Sequence, residues 1–223
     1  MLILLSFCLF LFGACKQNYN TESTSNQKEG LIATETMQEN NEPGKLDREV
    51  WQKPDLIIHK LGDVSDKIVA DIGAGTGYFS FRFALKAKKV IAVDIDTSAL
   101  SFIEKNKNKL PQEYQQRLET REAKVDDPNL NHEEVDIILI INTIAYINDI
   151  PGYLKNIRKT LKKNGEIMIV DYKMKKLPIN APPKKERIYL DKVEEILESA
   201  GFTKIVTDDT SLDYQYIITA INS

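Results

Sequence analysis

Apolar and polar positions along this 223-residue chain follow two periodicities in turn. Short runs, most of them almost continuously apolar, predict strands at 68–71, 89–94, 120–125, 135–141 and 166–172. Apolar residues at helical spacing predict helices at 46–61, 78–87, 98–109, 151–163 and 191–200. Two further strands are predicted as an antiparallel pair, at 203–207 and 214–221. The alternation predicts an α/β fold: a doubly wound seven-stranded sheet, mostly parallel, with an antiparallel C-terminal edge strand.

The first strand runs directly into a turn rich in glycine. From Asp71 to Tyr78 the chain reads Asp-Ile-Gly-Ala-Gly-Thr-Gly-Tyr, with glycines at Gly73, Gly75 and Gly77. A dinucleotide-binding turn has the spacing Gly-x-Gly-x-x-Gly, whereas here the third glycine comes one residue early and Tyr78 holds the usual place. The spacing therefore argues against a pyrophosphate ligand, while the glycines still allow another ligand to approach the main chain closely. A strand–turn–helix corner without a ligand is the alternative interpretation.

The pattern Asp-x-Gly-x-Gly-x-Gly resembles motif I of the class I S-adenosylmethionine-dependent methyltransferases. Three later strings extend the resemblance to the type 11/25, ubiquinone-biosynthesis-like methyltransferases over residues 47–221. They are Asn-Thr-x-x-Tyr-Ile from Asn142, the run from Tyr153 to Lys173, and Glu-Ser-Ala-Gly-Phe from Glu198. The resemblance implies a Rossmann-like domain that transfers a methyl group from S-adenosylmethionine to an unidentified small-molecule acceptor.

The resemblance also implies which residues bind the cofactor. Asp71 would face the amino group of its methionine part, and Asp94, at the tip of the second strand, would accept hydrogen bonds from the ribose hydroxyls. Near the adenine ring, Lys124 stands where the family has an acid, and either Asp126 or the backbone amide of Val125 could serve instead. The implied cofactor-binding residues are Asp71, Gly73, Ala74, Gly75, Gly77, Tyr78, Asp94, Ile95, Val125, Asp126 and Asn142.

Catalytic residues are harder to infer, because a sulfonium methyl donor is already an electrophile and the protein has mainly to position the reactants. Tyr146 and Asp171, at the tips of the fourth and fifth strands, are the candidates for a base. Their alternative roles are a pocket wall and a strand-end cap. Similar methyltransferases carry histidines where this chain has Ala145 and Tyr146, so any role of those histidines is absent. His59 and His132 are isolated, and no spacing predicts a metal site.

Composition narrows the partners. The net charge of −3 and a pI near 5.6 give no indication of a nucleic-acid partner. With 42% hydrophobic and 28% charged residues, the chain suits one globular domain. The oligomeric state and the methyl acceptor remain open at this stage.

The first 15 residues differ in kind from the rest. They carry no charge and are almost continuously apolar, which is too short for a bilayer span of about 20 residues but typical of a signal peptide. Leu-Phe-Gly-Ala-Cys at 11–15 resembles a bacterial lipobox, so Cys15 is the predicted lipidation site. A flexible polar linker is predicted at 16–44 and the methyltransferase domain at 45–223. The predicted location is a membrane-anchored lipoprotein, periplasmic or on the cell surface, or the cytoplasm if the leader is not processed.

Export conflicts with a cofactor that is made in the cytoplasm. This conflict is the reason for a second hypothesis, a non-catalytic exported lipoprotein that keeps the methyltransferase fold as a binding module. A third, an NAD-linked reductase, is disfavoured by the glycine spacing and by the lack of a Tyr-x-x-x-Lys pair or a similar acid–base set.

Overall fold

The computed structural model describes residues 47–223, so the predicted signal peptide, Cys15 and the linker at 16–44 lie outside the described residues. Within the described part, seven strands form one mixed sheet in the order β3-β2-β1-β4-β5-β7-β6. The strands are β1 (Ile68–Ile72), β2 (Lys89–Asp94), β3 (Leu118–Glu122), β4 (Val135–Ile141), β5 (Leu161–Tyr172), β6 (Thr203–Asp208) and β7 (Gln215–Ile221).

Helices cover both faces of this sheet, as a doubly wound fold requires. They are α1 (Arg48–Gln52), α2 (Pro54–His59), α3 (Tyr78–Ala84), α4 (Thr97–Asn106), α5 (Gln112–Gln115), α6 (Ile150–Arg158) and α7 (Leu190–Ala200). Apolar residues of α2, α3 and α4 belong to one core cluster, and those of α6 and α7 belong to a second cluster. No helix within residues 47–223 is both long enough and apolar enough to cross a bilayer.

The sheet reverses its winding between β1 and β4, which pair in parallel. From β1 the chain goes outward through β2 and β3, and from β4 it continues in the other direction to β5. In such a fold, loops on either side of the reversal point separate at the carboxyl ends of the strands, and ligands bind in the crevice between them. The glycine turn after β1 and the segment after β4 therefore face each other across this crevice.

The predicted fold class is confirmed, and the antiparallel C-terminal strand is β7. This strand does not lie at the edge, however, because β6 pairs with its outer side. Burial explains the order: Tyr216, Ile217 and Ile218 are at most 2% exposed, whereas Val206 of β6 is 62% exposed. A strand buried on both faces needs a neighbour on each side, and the more polar strand is left outermost.

The boundary between α6 and β5 contradicts the predicted helix at 151–163. Helix α6 ends at Arg158, and β5 begins at Leu161, which is fully buried and pairs with Val135. The polar Lys-Lys-Asn-Gly run that suggested a helix end lies in an irregular part of β5, where Asn164 donates its N–H to the carbonyl of Asn222. Burial of Leu161 and this backbone pairing outweigh the helical pattern.

Two other boundaries move in ways that affect the site. The predicted helix at 46–61 divides at Lys53, whose φ of 50° precedes Pro54, because a proline disfavours helical geometry in the residue before it. The third strand, predicted at 120–125, covers Leu118–Glu122 instead. Beyond it, the backbones of Lys124 and Asp127 bond to each other, with N···O distances of 2.8 and 3.3 Å, and close a tight turn.

Candidate functional site

Two adjoining cavities open at the carboxyl ends of the central strands. The first, of about 190 Å³, is mainly polar, and we name it the polar cavity; its lining includes Arg48, Asp71, Gly73, Gly75, Asn142 and Thr143. The second, of about 250 Å³, is mainly apolar, and we name it the apolar cavity; its lining includes Gly73, Asp94, Ile95, Val125, Thr143 and Tyr146. Gly73 and Thr143 line both, so the cavities meet at this point.

The glycine turn fits closely on one side and is open on the other. Gly73 has a φ of 74°, and a Cβ at this position would lie 2.3 Å from Thr143 Oγ1, so no larger residue fits beside the segment after β4. Gly75 has a φ of 54°, and a Cβ there would meet no atom of the described chain within 4 Å. The first glycine is thus required by packing, and the second leaves space beside the main chain.

Asp71 is the buried acid at the end of β1. Its side chain is 3% exposed, and its Oδ2 accepts a hydrogen bond of 2.6 Å from Ser80 Oγ on α3. Burial, with a smaller contribution from the charge of Asp94, raises the pKa of Asp71 to about 6. The Ser80 hydrogen bond and the positive charge of Arg48 act in the opposite direction.

Arg48 reaches the polar cavity from α1. Its guanidinium carbon lies 4.0 Å from the centre of the Tyr78 ring, and Arg82 lies 4.1 Å from the same ring. The Tyr78 hydroxyl donates to Glu49 Oε2 at 2.9 Å, and Glu49 also pairs with Arg82. Tyr78, in the place where a dinucleotide turn has glycine, therefore attaches α1 to the turn and the start of α3.

A chain of buried amides connects α1 to the sheet. Arg48 Nε donates to Gln52 Oε1 at 2.6 Å, and Gln52 Nε2 donates to Gln215 Oε1 at 3.0 Å. Gln215 of β7 in turn donates to the side-chain oxygen of Asn142. Both glutamines are fully buried, and Asn142 has a φ of 59° directly after β4. Arg48 and Asn142, which both line the polar cavity, are thus positioned by one hydrogen-bonded chain.

Asp94 lies at the tip of β2, at the mouth of the apolar cavity. Its Oδ2 accepts the Gly75 N–H at 2.7 Å and its Oδ1 accepts the Asp96 N–H at 2.9 Å. Each carboxylate oxygen has a further lone pair, so Asp94 can still accept hydrogen bonds from a diol. Asp96 caps α4 by accepting the Ser98 N–H at 2.8 Å, as predicted.

A family model described as a methyltransferase domain matches residues 63–215. The chain belongs to this family. A putative methyltransferase of Dictyostelium discoideum is 29% identical over 124 residues, covering 56% of this chain and 43% of that protein. A probable S-adenosylmethionine-dependent methyltransferase of Mycobacterium tuberculosis is 24% identical over 143 residues, covering 61% and 49%. The chain therefore spans about half the length of these curated relatives.

Solved structures support the same fold. A crystal structure of an S-adenosylmethionine-dependent methyltransferase from Aquifex aeolicus superposes with a TM-score of 0.71 at 20% identity, covering 87% of this chain and 98% of the other. At this level of identity the similarity concerns the fold alone. It confirms the seven-stranded arrangement predicted for the methyltransferase domain.

In this methyltransferase domain most of the predicted cofactor-binding residues line the two cavities. The polar cavity includes Asp71, Gly73, Ala74, Gly75, Tyr78 and Asn142, and the apolar cavity includes Gly73, Asp94, Ile95 and Val125. Gly77 and Asp126 are not among the residues that line either cavity: Gly77 caps α3, and Asp126 borders a neighbouring cavity. Residues 47–223 contain no group of three or more His, Cys, Asp or Glu that could hold a metal ion.

Sequence analysis missed Arg48 and Thr143. Thr143 directly follows Asn142, and its position after a central strand was a usable signal. Arg48 and Gln52 lie one helical turn apart on α1, so their side chains share a face, but only the folded chain shows that this face meets the sheet.

The two catalytic candidates of the methyltransferase domain have different environments. Tyr146 lies in a short 3-10 turn (Ile144–Tyr146), is 60% exposed and lines the apolar cavity. Partial burial and the negative charges of Glu186 and Asp171 raise the pKa of Tyr146. Asp171, near the end of β5, is 2% exposed, and burial raises its pKa to about 6 against the opposing charge of Arg187.

Proposed function

We propose that this methyltransferase domain binds S-adenosylmethionine across the two cavities and transfers its methyl group to a small-molecule acceptor. The observation that supports this best is the complementary chemistry of the two cavities, which meet at Gly73 and Thr143. The cofactor likewise has a charged amino-acid end and an adenosine end joined at a sulfonium.

The polar cavity suits the amino-acid end. Asp71 and Arg48 provide one negative and one positive side chain, which match the ammonium and the carboxylate of a zwitterion. Asn142 adds an amide between them and the segment after β4. The pKa of Asp71, raised to about 6 in the absence of ligand, would fall when an ammonium group is bound next to it.

The apolar cavity suits the adenosine end. Asp94 at its mouth is placed to accept hydrogen bonds from the two ribose hydroxyls, while Ile95 and Val125 provide apolar surface for the ring. Both side chains are about 60% exposed, at 60% and 62%, so a bound ring would cover apolar surface that otherwise faces water. Lys124 also lines this cavity, in place of the acid of similar methyltransferases.

Isothermal titration of the full chain tests the proposal. We expect S-adenosylmethionine and S-adenosylhomocysteine to bind with micromolar affinity, and NAD and ATP to bind at least 100-fold more weakly. Asp94→Asn should lower the affinity about 10-fold, because a charged acceptor of two hydrogen bonds is lost. Asp96→Asn, two residues away on the helix cap, is the matched control and should change it less than twofold. No heat at millimolar cofactor would contradict the proposal.

We also propose that Cys15 is lipidated and anchors the domain to a membrane, periplasmic or on the cell surface. The support is the uncharged apolar run of the first 15 residues, with its small residues before the cysteine. An anchored domain favours a lipophilic acceptor. Mass spectrometry of the processed protein should show an acylated N-terminus at Cys15, and recovery of an intact Met1 would contradict this.

A further inference from the structure

Asp171 holds a carboxylate oxygen without a partner in the interior of the domain. Its Oδ1 accepts the backbone N–H of Tyr172 at 2.6 Å, whereas its buried Oδ2 has no hydrogen-bond partner among the described residues. The nearby cation does not supply one, because Arg187 donates to the carbonyls of Pro182, Lys173 and Lys175 at 2.6–3.0 Å.

An unpaired buried acceptor is costly, typically about 1–3 kcal/mol and more for a charged group. Most buried polar groups in native proteins are paired, and the exceptions often have a functional reason. Arg187 is fixed by three main-chain acceptors of the segment that follows β5, so it is not available without opening that segment. A donor from a bound molecule would satisfy Asp171 without any rearrangement.

The position of Asp171 is next to both cavities. Asn142 of the polar cavity donates its N–H to the carbonyl of Val170, the residue before Asp171. Tyr146 of the apolar cavity is close enough for the charge of Asp171 to raise its pKa. Asp171 therefore lies beyond the cofactor cavities, on the side where β4 and β5 end and where the methyl acceptor has to approach.

We propose, on the basis of the proposed function, that Asp171 Oδ2 binds the methyl acceptor through an O–H or N–H on its nucleophilic atom and removes that proton. A carboxylate only accepts hydrogen bonds, so the acceptor must supply the donor. In the transfer step the acceptor lone pair forms the new bond to the methyl carbon, and the S–CH₃ bond breaks with its electron pair left on sulfur. The proton moves from the acceptor to Oδ2, which balances the step.

This assignment defines a substrate class. Alcohols, phenols and amines that carry a proton on the nucleophile fit Asp171. Carboxylates would place a second negative charge beside it, and tertiary amines or thioethers have no proton to give. The acceptor is thus a neutral or basic molecule with a hydroxyl or amino group.

The test uses the full chain, saturating cofactor and four probes: catechol, benzylamine, N,N-dimethylbenzylamine and thioanisole. We expect methylation of catechol or benzylamine and not of the two proton-free probes. Asp171→Asn should lower kcat/KM for the active probe at least 100-fold, the usual contribution of a general base. It should also weaken probe binding to the S-adenosylhomocysteine complex, measured by titration, while the affinity for S-adenosylmethionine changes less than twofold.

Glu186→Gln is the matched control, because it removes a negative charge from the same region but from an exposed side chain, and it should keep kcat/KM within twofold. Asp171→Glu should restore part of the activity. If Asp171→Asn does not fold, the wild-type pH profile decides: kcat/KM should fall about tenfold per pH unit below about 6.

Four results would overturn the proposal: unchanged kcat/KM in Asp171→Asn, a flat acid limb, methylation of the proton-free probes alone, or no methylation of any probe by a protein that binds the cofactor. Absence of cofactor binding contradicts the proposed function itself, and this proposal with it.

Discussion

Asp71 and Asp171 are buried acids at the carboxyl ends of two strands of one sheet, and burial raises both pKa values to about 6. Their partners differ. Ser80 donates to one oxygen of Asp71, and the charge of Arg48 lies nearby. Asp171 has only the adjacent backbone N–H, and its second oxygen is unpaired in the described chain.

The difference indicates a division of labour. On the β1 side, the glycine turn, Arg48 and the amide chain form a site in which the acid is already held by the protein. On the β5 side, the acid keeps half of its hydrogen-bonding capacity for something else. The first arrangement suits a cofactor bound in one pose, and the second suits an acceptor that brings its own proton donor.

The largest expected effect is on the pH dependence of stability. Because the folded-state pKa of each acid is above its ordinary value of 3.8, its unfavourable burial is avoided below pH 4 and is imposed as pH rises through 6. Relative to wild type, Asp171→Asn should therefore gain about 3 kcal/mol in unfolding free energy between pH 4 and pH 7. Arg187, Tyr146 and Tyr216 are the other ionisable groups that interact with this carboxyl. Urea denaturation at each pH provides the measurement.

Saturating S-adenosylmethionine then separates the two acids. Asp71→Asn should show a similar gain in free protein, but the gain should shrink when the cofactor ammonium lies beside the wild-type Asp71. The gain of Asp171→Asn, measured relative to wild type under the same conditions, should persist. Equal shrinkage in both variants would remove the distinction between the two sides.

A smaller effect is expected from the amide chain on the cofactor side. Gln215→Leu removes the link between Gln52 and Asn142 and should weaken S-adenosylmethionine binding about 10-fold, because Arg48 loses its support. The decarboxylated cofactor analogue has no group for Arg48 and serves as the internal comparison. Its affinity should change less than twofold, whereas an equal loss for both ligands would indicate general damage to the site.

Much of the cofactor side could be predicted from sequence because its signals are local. Continuous apolar runs identify β1, β2 and β4, and the glycine spacing places the turn directly after an acid. Residues at strand tips, such as Asp94, follow from the parallel arrangement alone.

The remaining features depend on tertiary packing. Gln52 and Gln215 are 163 positions apart, and nothing in either neighbourhood indicates that the two amides meet in the core. Burial of Leu161 against β4 moved a strand start into a predicted helix. Asp171 could be named as a candidate from its place after an apolar run, but its unpaired oxygen is a property of the folded surroundings.

The most direct test of the division between the two acids is the dissociation constant of S-adenosylmethionine, measured by isothermal titration for the full wild-type chain, Asp71→Asn and Asp171→Asn. We expect about 30-fold weaker binding for Asp71→Asn, because a charged hydrogen bond to the ammonium is lost, and a change of less than twofold for Asp171→Asn. Equal weakening in both variants, or weakening in Asp171→Asn alone, would contradict the account.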